Sequence, residues 1–437
     1  MGRLVKPATL QAFEMALETG ALGSQLQFHH SREKFKGFSG PVGSGKSRAL
    51  CQEVVRQAYL NPGRVGLLGA PTYRMMRDAT LTSLLEVLRD HEIRFEWNKV
   101  EHTITFTENG SVVLLRSVRE ADRLRGTNLA WFGVDELTYC EEAVWTKLEA
   151  RLRDPRAANR TGFGVWTPKG RDWVYRRFVG RSLPGYRTIK AKPFENRYVL
   201  AGNPDYYEAL KHSYDEEFYR QEVLGEYLSG TGGSVYRTFS RERNVVAAKA
   251  DLGKPLLWAF DFNVDPMCAV VAQRDGENLR VLDEIVLRRS GTQEMCEEFL
   301  ERYGSHMPGV VVYGDASGNS RSTKGSSDYE IVRGVLSRRM PGRFRIQVPS
   351  RNPGVMDRVS LVNAKLLSAA GQVRLTVDAK CKELIADLEE LEYKKDSSVI
   401  DKERDKNRSH LSDALGYLVW QEFEGKRVAG EQGQRLI

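Results

Sequence analysis

Three groups of residues in this chain have types and spacings that could do chemistry. The first is Gly40-Pro41-Val42-Gly43-Ser44-Gly45-Lys46-Ser47, which fits G-x-x-x-x-G-K-S/T, the phosphate-binding loop. Its glycines let the backbone turn so that successive N–H groups point at phosphate oxygens. Lys46 can reach the β- and γ-phosphates, and the Ser47 hydroxyl can ligate Mg2+. The second group is Asp135-Glu136, which follows the apolar run Leu129–Val134. An acidic pair at a strand end can hold Mg2+ through Asp135, largely by way of water, while Glu136 orients and deprotonates an attacking water. Each pattern is common alone; together they point to hydrolysis of a nucleoside triphosphate. The third group is Asp261, Asp315 and Asp413. Clustered carboxylates repel one another unless cations sit between them, so their convergence would call for Mg2+ or Mn2+. Two such ions can activate a water and stabilise the leaving oxygen in phosphodiester cleavage. Glu284 is a candidate fourth ligand. The competing reading is a set of unrelated turn aspartates.

These residues need elements to hold them. Phe35–Ser39 reads as a strand leading into the loop, and Arg48–Tyr59 as a helix whose N-terminal dipole adds to the anion site. Arg64–Gly69 and Gly162–Trp166 read as further strands; the second runs into Thr167-Pro168-Lys169-Gly170. Thr167, a small polar residue at a core strand end, can sense a γ-phosphate, or the segment is simply a Pro-Gly turn. Thr80–Asp90 has an amphipathic helical pattern. Phe95–Asn98, Thr103–Thr107 and Ser111–Arg116 alternate like antiparallel strands, with Asn109-Gly110 as the hairpin turn. Gln25, shortly before the loop, either reads an adenine edge or is a surface residue. Arg125, eleven residues before Glu136, either stabilises a transferring phosphoryl group from a subunit edge or is an ordinary surface arginine.

Tyr206–Lys211 and Glu216–Gly225 read as helices capping this first part. The stretch Ser229–Ser234 reads as a flexible linker, so we place a domain over 1–230 (core about 1–185, a lid over 186–230) and a second over 235–437. In the second part Leu256–Phe260 and Val310–Gly314 are strands delivering Asp261 and Asp315. Cys268–Gln273, Arg280–Leu287 and Arg343–Val348 are further strands. Thr292–Tyr303, Tyr329–Arg339, Met356–Ala370, Ala379–Glu390 and His410–Glu422 are helices, the last carrying Asp413. Between Tyr393 and Arg408 the charge-dense chain reads as an exposed hairpin or loop.

Composition agrees with this division. A chain of 437 residues is too long for one ordinary core. With 41% hydrophobic and 28% charged residues it reads as a globular protein, and a formal charge of +8 favours an acidic partner such as nucleic acid. Its five cysteines show no C-x-x-C spacing, which argues against zinc and for a reducing compartment. No signal peptide or membrane-length apolar run is expected.

The ordered set GPVGSGKS, APTYRMMRD, RLRG, WFGVDE, TPKG, FDFNVDP, YGDASG and HLSDALGY resembles the large terminase subunit of tailed bacteriophages, from about Gln25 to Glu422. The resemblance implies an α/β protein: an N-terminal RecA-like, additional-strand (ASCE) P-loop ATPase domain joined to a C-terminal RNase H-like, RuvC-resembling nuclease domain. It implies ATP and Mg2+ as cofactors, with Mn2+ able to substitute in the nuclease. Gly40 to Ser47, Asp135 and Glu136 match the nucleotide site, Thr167 the coupling motif, and Asp261, Asp315 and Asp413 the nuclease metal triad. Arg125 matches an arginine that in some relatives acts on a neighbouring subunit's ATP. Many relatives carry an arginine four residues before the loop lysine; here that position is Val42, which raises the importance of Arg125. The implied partners are double-stranded DNA, a portal protein on a procapsid and a small terminase subunit. The implied working form is a homo-oligomeric ring, a pentamer, with a monomer in isolation, acting in the cytoplasm of an infected host and not retained in the virion. The competing functions are a helicase or translocase-nuclease of repair or recombination, and a DNA-binding adaptor with decayed sites. A helicase would carry further motifs in a second RecA-like domain.

Overall fold

The computed structural model describes residues 9–119, 126–180, 183–228, 233–262, 265–319, 326–394, 399–403, 405 and 408–423. The chain forms two compact units. The first runs to Tyr207 and resumes over Tyr219–Ser229; the second holds Glu208–Phe218 and Gly230 onward. The segment Glu208–Phe218, read from sequence as part of the first domain, thus packs with the second unit. Within that unit the Arg237 guanidinium donates to buried Asp215 at 2.6 Å, and the Ala369 N–H donates to the Tyr214 carbonyl.

The first unit is built on eight strands: β1 (Phe35–Ser39), β2 (Val65–Ala70), β3 (Phe95–Asn98), β4 (Thr103–Phe106), β5 (Val112–Ser117), β6 (Trp131–Val134), β7 (Thr161–Trp166) and β8 (Tyr186–Lys190). Their order in the sheet is β3-β4-β5-β2-β6-β7-β1-β8. Strands β5 through β8 in that order are parallel, and β3 and β4 add an antiparallel edge through the expected turn at Gly110. The central parallel strands β2, β6, β7 and β1 are buried nearly throughout because helices cover both faces, whereas the edge strand β8 is partly exposed. One face packs on the helices Leu10–Gly20, Lys46–Leu60 and Leu81–Asp90, the other on Glu142–Glu149 and Phe178. β7 lies between the strand that feeds the phosphate loop and the strand that ends in Asp135. That inserted strand is the topology the resemblance implies.

Sequence periodicity placed most of the central elements but not the strands Tyr186–Lys190 and Leu375–Asp378 or the helices Glu142–Glu149, Arg197–Gly202 and Gly23–His30, the last being the most informative. Its sequence GSQLQFHH carries no apolar stripe, yet Ser24, Gln25, Phe28 and His29 are all buried. A charged network engages His29: Lys36 Nζ lies 2.8 Å from Glu53, whose other oxygen meets His29 Nδ1 at 2.8 Å, while the Gln25 side chain bonds the Leu22 N–H and the Gly45 carbonyl. Burial alone would raise the Glu53 acid, but Lys36 and His29 bring it down to about 2.

The second unit has strands β9 (Val245–Val246), β10 (Leu256–Asp261), β11 (Met267–Asp275), β12 (Asn278–Leu287), β13 (Val310–Gly314), β14 (Phe344–Ile346) and β15 (Leu375–Asp378), in the order β14-β13-β10-β11-β12-β15-β9. β10, β11 and β12 form an antiparallel meander, and β13 returns parallel to β10. One face packs on the helices Thr292–Tyr303 and Asp328–Arg339, the other on Val355–Leu366, Lys382–Glu390 and His410–Phe423. The helix expected to reach Ala370 ends at Leu366. Tyr393 and Ile400 pair antiparallel, as a hairpin requires. Among the described residues no helix is long and apolar enough to cross a membrane.

Candidate functional site

The loop Gly40–Ser47 joins β1 to the helix Lys46–Leu60, so the helix N-terminus lies at the carboxyl ends of the parallel strands. Gly43 and Gly45 have φ of 72° and 80°, a region costly for residues with a Cβ. Lys46 is buried, and its Nζ donates to the Pro41 carbonyl at 2.9 Å, which also accepts from the Ser44 hydroxyl at 2.7 Å. Burial lowers the Lys46 ammonium, while the carboxylates of Glu136, Glu222 and Asp135 support its charge. Gln25 is neither exposed nor free: its Oε1 accepts from the Leu22 N–H at 2.8 Å and its Nε2 donates to the Gly45 carbonyl at 3.0 Å. Its amide braces the loop backbone.

Asp135 and Glu136 leave the end of β6 one strand away from the loop. The Asp135 carboxylate is buried; burial raises it, and hydrogen bonds from the Thr80 hydroxyl (2.8 Å) and the Glu136 N–H (3.0 Å), with the Ser47 side chain close by, oppose that. Thr80 ends a single widened π turn, Met76–Thr80, and such turns recur at functional sites. Glu136 has φ 46° and ψ 52°, a left-handed conformation that a residue with a side chain adopts only when its surroundings enforce it. Burial, the largest cause, and the neighbouring Asp135 and Glu222 push its acid up to about 7 against Lys46 and Lys169. That value suits a general base at neutral pH. Thr167 follows β7, and its carbonyl accepts from the Thr138 hydroxyl at 3.4 Å, which links it to the turn after Glu136. Arg125 lies outside the described residues.

Sequence reasoning missed several groups here. Thr80, Lys169, Asn196 and Glu222 come from four separate segments. The Asn196 side chain donates to the Gly43 carbonyl at 2.6 Å, and the Val42 N–H donates to the Glu222 carbonyl at 2.7 Å. Val42 therefore anchors the loop through its backbone.

In the second unit, Asp261 ends β10, Asp315 follows β13, and Asp413 lies in the first turn of the nearly fully buried helix His410–Phe423. Burial raises the Asp261 acid, and the negative charges of Asp413 and Asp315 add to that, so the three share one end of the sheet. Each is engaged by the protein itself. His410 Nδ1 lies 2.9 Å from Asp261. The Ser317 hydroxyl, at 2.8 Å, and the Gly318 N–H, at 3.1 Å, donate to Asp315. Lys402 Nζ meets one Asp413 oxygen at 2.7 Å and Arg358 the other at 3.2 Å. Gly416 permits the approach, since a Cβ there would stand 3.2 Å from Arg358 Nη1. Among the described residues no group of three or more His, Cys, Asp or Glu side chains is placed to hold a metal ion. The expected triad is thus gathered but not closed around one point, with cations of the chain beside its carboxylates. Glu284 is not part of it. Its carboxylate accepts the N–H groups of Glu383 (3.0 Å) and Leu384 (2.8 Å), capping the helix Lys382–Glu390. Asp387 on that helix accepts the Ser412 N–H at 3.2 Å and fixes the start of the Asp413 helix.

Comparison with known proteins fits both halves. Residues 38–243 match the family described as terminase large subunit, T4likevirus-type, N-terminal, and residues 258–422 match the terminase RNaseH-like domain. The large terminase subunit of Thermus virus P23-45 is 26% identical over 201 residues, covering 42% of this chain and 40% of that protein. The one from Thermus phage G20c is 25% identical with the same coverage. The chain therefore aligns with less than half the length of these curated relatives. The structure of a large terminase from a thermophilic bacteriophage, in complex with ADP, is similar in fold, with a TM-score of 0.70 at 17% identity, over 92% of this chain and all of that one. An inserted strand between the phosphate loop and its acidic pair, a mixed sheet ordered β14-β13-β10-β11-β12-β15-β9 with three aspartates at one end, and a terminase match over each half place this chain in the terminase large subunit family.

Proposed function

We propose that this chain is the ATP-driven motor that moves double-stranded DNA into a preformed capsid, and that its second unit cuts that DNA. The observation that carries the reading is Glu136, a carboxylate held in a left-handed turn beside Lys46 with its acid near 7, on a chain that also gathers three aspartates over a second sheet. In the first unit Lys46 and the loop N–H groups bind the phosphates. Ser47 and Asp135, whose side chains lie close together, form a hydroxyl-carboxylate pair suited to Mg2+. Bound there, the ion would neutralise charge on the β- and γ-oxygens. Glu136 accepts a proton from the attacking water, Lys169 tempers its basicity, and Thr167 couples the end of β7 to the turn after Glu136. Gln25 positions Gly45 rather than reading the base.

For the second unit, Asp261, Asp315 and Asp413 are the proposed cleavage residues, with Mg2+ or Mn2+ as the proposed cofactor. As they stand, His410, Lys402 and Arg358 occupy these carboxylates, and the arrangement does not fit an ion unless such side chains move. Affinity for DNA would come from phosphate contacts, in keeping with the +8 charge. Portal, procapsid and small subunit are the proposed partners, in a ring assembled in the infected cell.

The test is a packaging assay with procapsids, DNA and ATP. We expect ATP-dependent protection of DNA from added nuclease. Duplex unwinding without protection would favour the helicase reading, and no DNA-stimulated ATP turnover would favour the adaptor. Because Val42 removes an arginine from the loop, Arg125→Ala is expected to abolish ATP turnover in assembled rings. Mixing it with Glu136→Ala subunits should restore part of the turnover. Absence of rescue in rings of confirmed mixed composition would exclude action across subunits.

A further inference from the structure

The phosphate loop is covered by two tyrosines whose role the reactions above do not use. Tyr206 and Tyr207 open the helix Tyr206–Ser213. Tyr207 is 3% exposed, and its ring is fixed edge-on against Phe194 (centroids 4.8 Å, 88°) and Tyr206 (5.0 Å, 76°). Its hydroxyl is buried and has no hydrogen-bond partner among the described residues. That hydroxyl lies on the loop: a Cβ at Gly43 would stand 3.3 Å from it and 3.1 Å from Tyr206 Cε1. A Cβ at Gly43 would therefore crowd the Tyr206 ring and the Tyr207 hydroxyl, besides straining a backbone at φ 72°.

The neighbouring loop acceptors are already engaged. The Gly43 carbonyl accepts from Asn196 at 2.6 Å, and the Pro41 carbonyl accepts from both Lys46 and Ser44. Burial raises the phenol above its ordinary value, so at neutral pH it is a donor. A buried donor without an acceptor is unfavourable, and native proteins retain few of them. Here the donor lies against Gly43, in a loop whose motif fits an oxygen-rich anion.

We propose that Tyr207 is a nucleotide-binding residue whose hydroxyl donates to an oxygen of the bound nucleoside di- or triphosphate. The acceptor belongs to the phosphate chain or the ribose, both of which present such oxygens. Tyr206 forms the adjoining wall over Gly43. This rests on reading the loop as an ATP site, and it adds a contact from the segment after β8 that the loop motif does not contain.

Tyr207→Phe removes the hydroxyl and keeps the ring. By isothermal titration, ADP affinity is expected to fall about tenfold, ~1.4 kcal/mol, while the melting temperature without nucleotide stays level or rises. Titration with tripolyphosphate assigns the acceptor: equal weakening places it on the phosphates, and weakening for ADP alone places it on the ribose. Unchanged ADP affinity in the folded variant overturns the proposal. A melting temperature lowered without nucleotide also overturns it, because the hydroxyl would then serve the fold. Lys46→Ala is the control. If that variant binds ADP as tightly as the parent, the ATP site itself is misassigned, a failure distinct from that of Tyr207.

Discussion

Glu136→Gln is expected to lower ATP turnover by about 10^3-fold and, in the same variant, to raise the melting temperature at pH 8. The loss of turnover follows from removing the base that accepts the proton of the attacking water, an effect typically worth ~10^2–10^4. The gain in stability has a separate cause. Glu136 carries an acid whose value is about 7 in the folded protein against 4.5 unperturbed, chiefly through burial. The fold therefore prefers the protonated form. Below pH ~4.5 the acid is protonated in both states and costs nothing extra. As pH rises through 4.5 toward 7, the unfolded chain releases its proton first and stability is lost. Above 7 the full cost is present, on the order of 2 kcal/mol after allowance for relaxation. A neutral glutamine of the same shape avoids that cost and keeps the left-handed backbone. The difference in melting temperature between variant and parent should be near zero at pH 4.5 and reach several degrees at pH 8. A difference independent of pH would mean that the Glu136 carboxylate is not buried as described.

The parts of these sites that were legible in the sequence are those set by local chain chemistry. A glycine-rich turn between an apolar strand and a helix, or an apolar run ending in acid, specifies its own geometry, so Lys46, Ser47, Asp135, Asp261 and Asp315 could be placed without long-range information. The supporting groups could not. Thr80 reaches Asp135 through a π turn, and Asn196 and Glu222 reach the loop backbone from beyond β8. Nothing in their immediate sequence marks them, because their placement is a result of packing. Gly23–His30 was illegible for the opposite reason. Its buried face is polar, and what buries it is a partner network on Lys36 and Glu53 rather than apolar periodicity. Glu284 shows how adjacency misleads. It follows Asp283 on β12, but successive strand residues point to opposite faces. Asp283 takes Arg302 and Tyr303 while Glu284 caps a helix, and neither joins Asp261. The strand-end Asp-Glu pattern carried information in β6 because it stood at a carboxyl end; inside β12 it did not.

Asp315→Ala and Asp413→Ala are both expected to abolish DNA cleavage and to leave ATP turnover intact, but they should differ sharply in stability. Asp315 is held by the hydroxyl of exposed Ser317 and by the buried Gly318 N–H, both uncharged donors, so removing the carboxylate strands no charge. Its loss should cost about 1 kcal/mol. Asp413 instead neutralises Arg358, which is 5% exposed and lies 4.1 Å from the Tyr417 ring centroid. Removing Asp413 strands that guanidinium in the interior, with an expected cost of ~3 kcal/mol. Lys402, half-exposed, regains water and adds little. Urea midpoints should therefore order as parent, Asp315→Ala, then Asp413→Ala well below. The double variant Asp413→Ala/Arg358→Met removes the stranded charge, so it should recover most of the lost stability and none of the cleavage. That recovery separates the two roles of Asp413, since a residue needed only to hold the helix would give back cutting along with stability. If Asp413→Ala unfolds no earlier than Asp315→Ala, the buried pair with Arg358 is not formed in solution. If either single variant cuts DNA at the parent rate, the three aspartates are not the cleavage site.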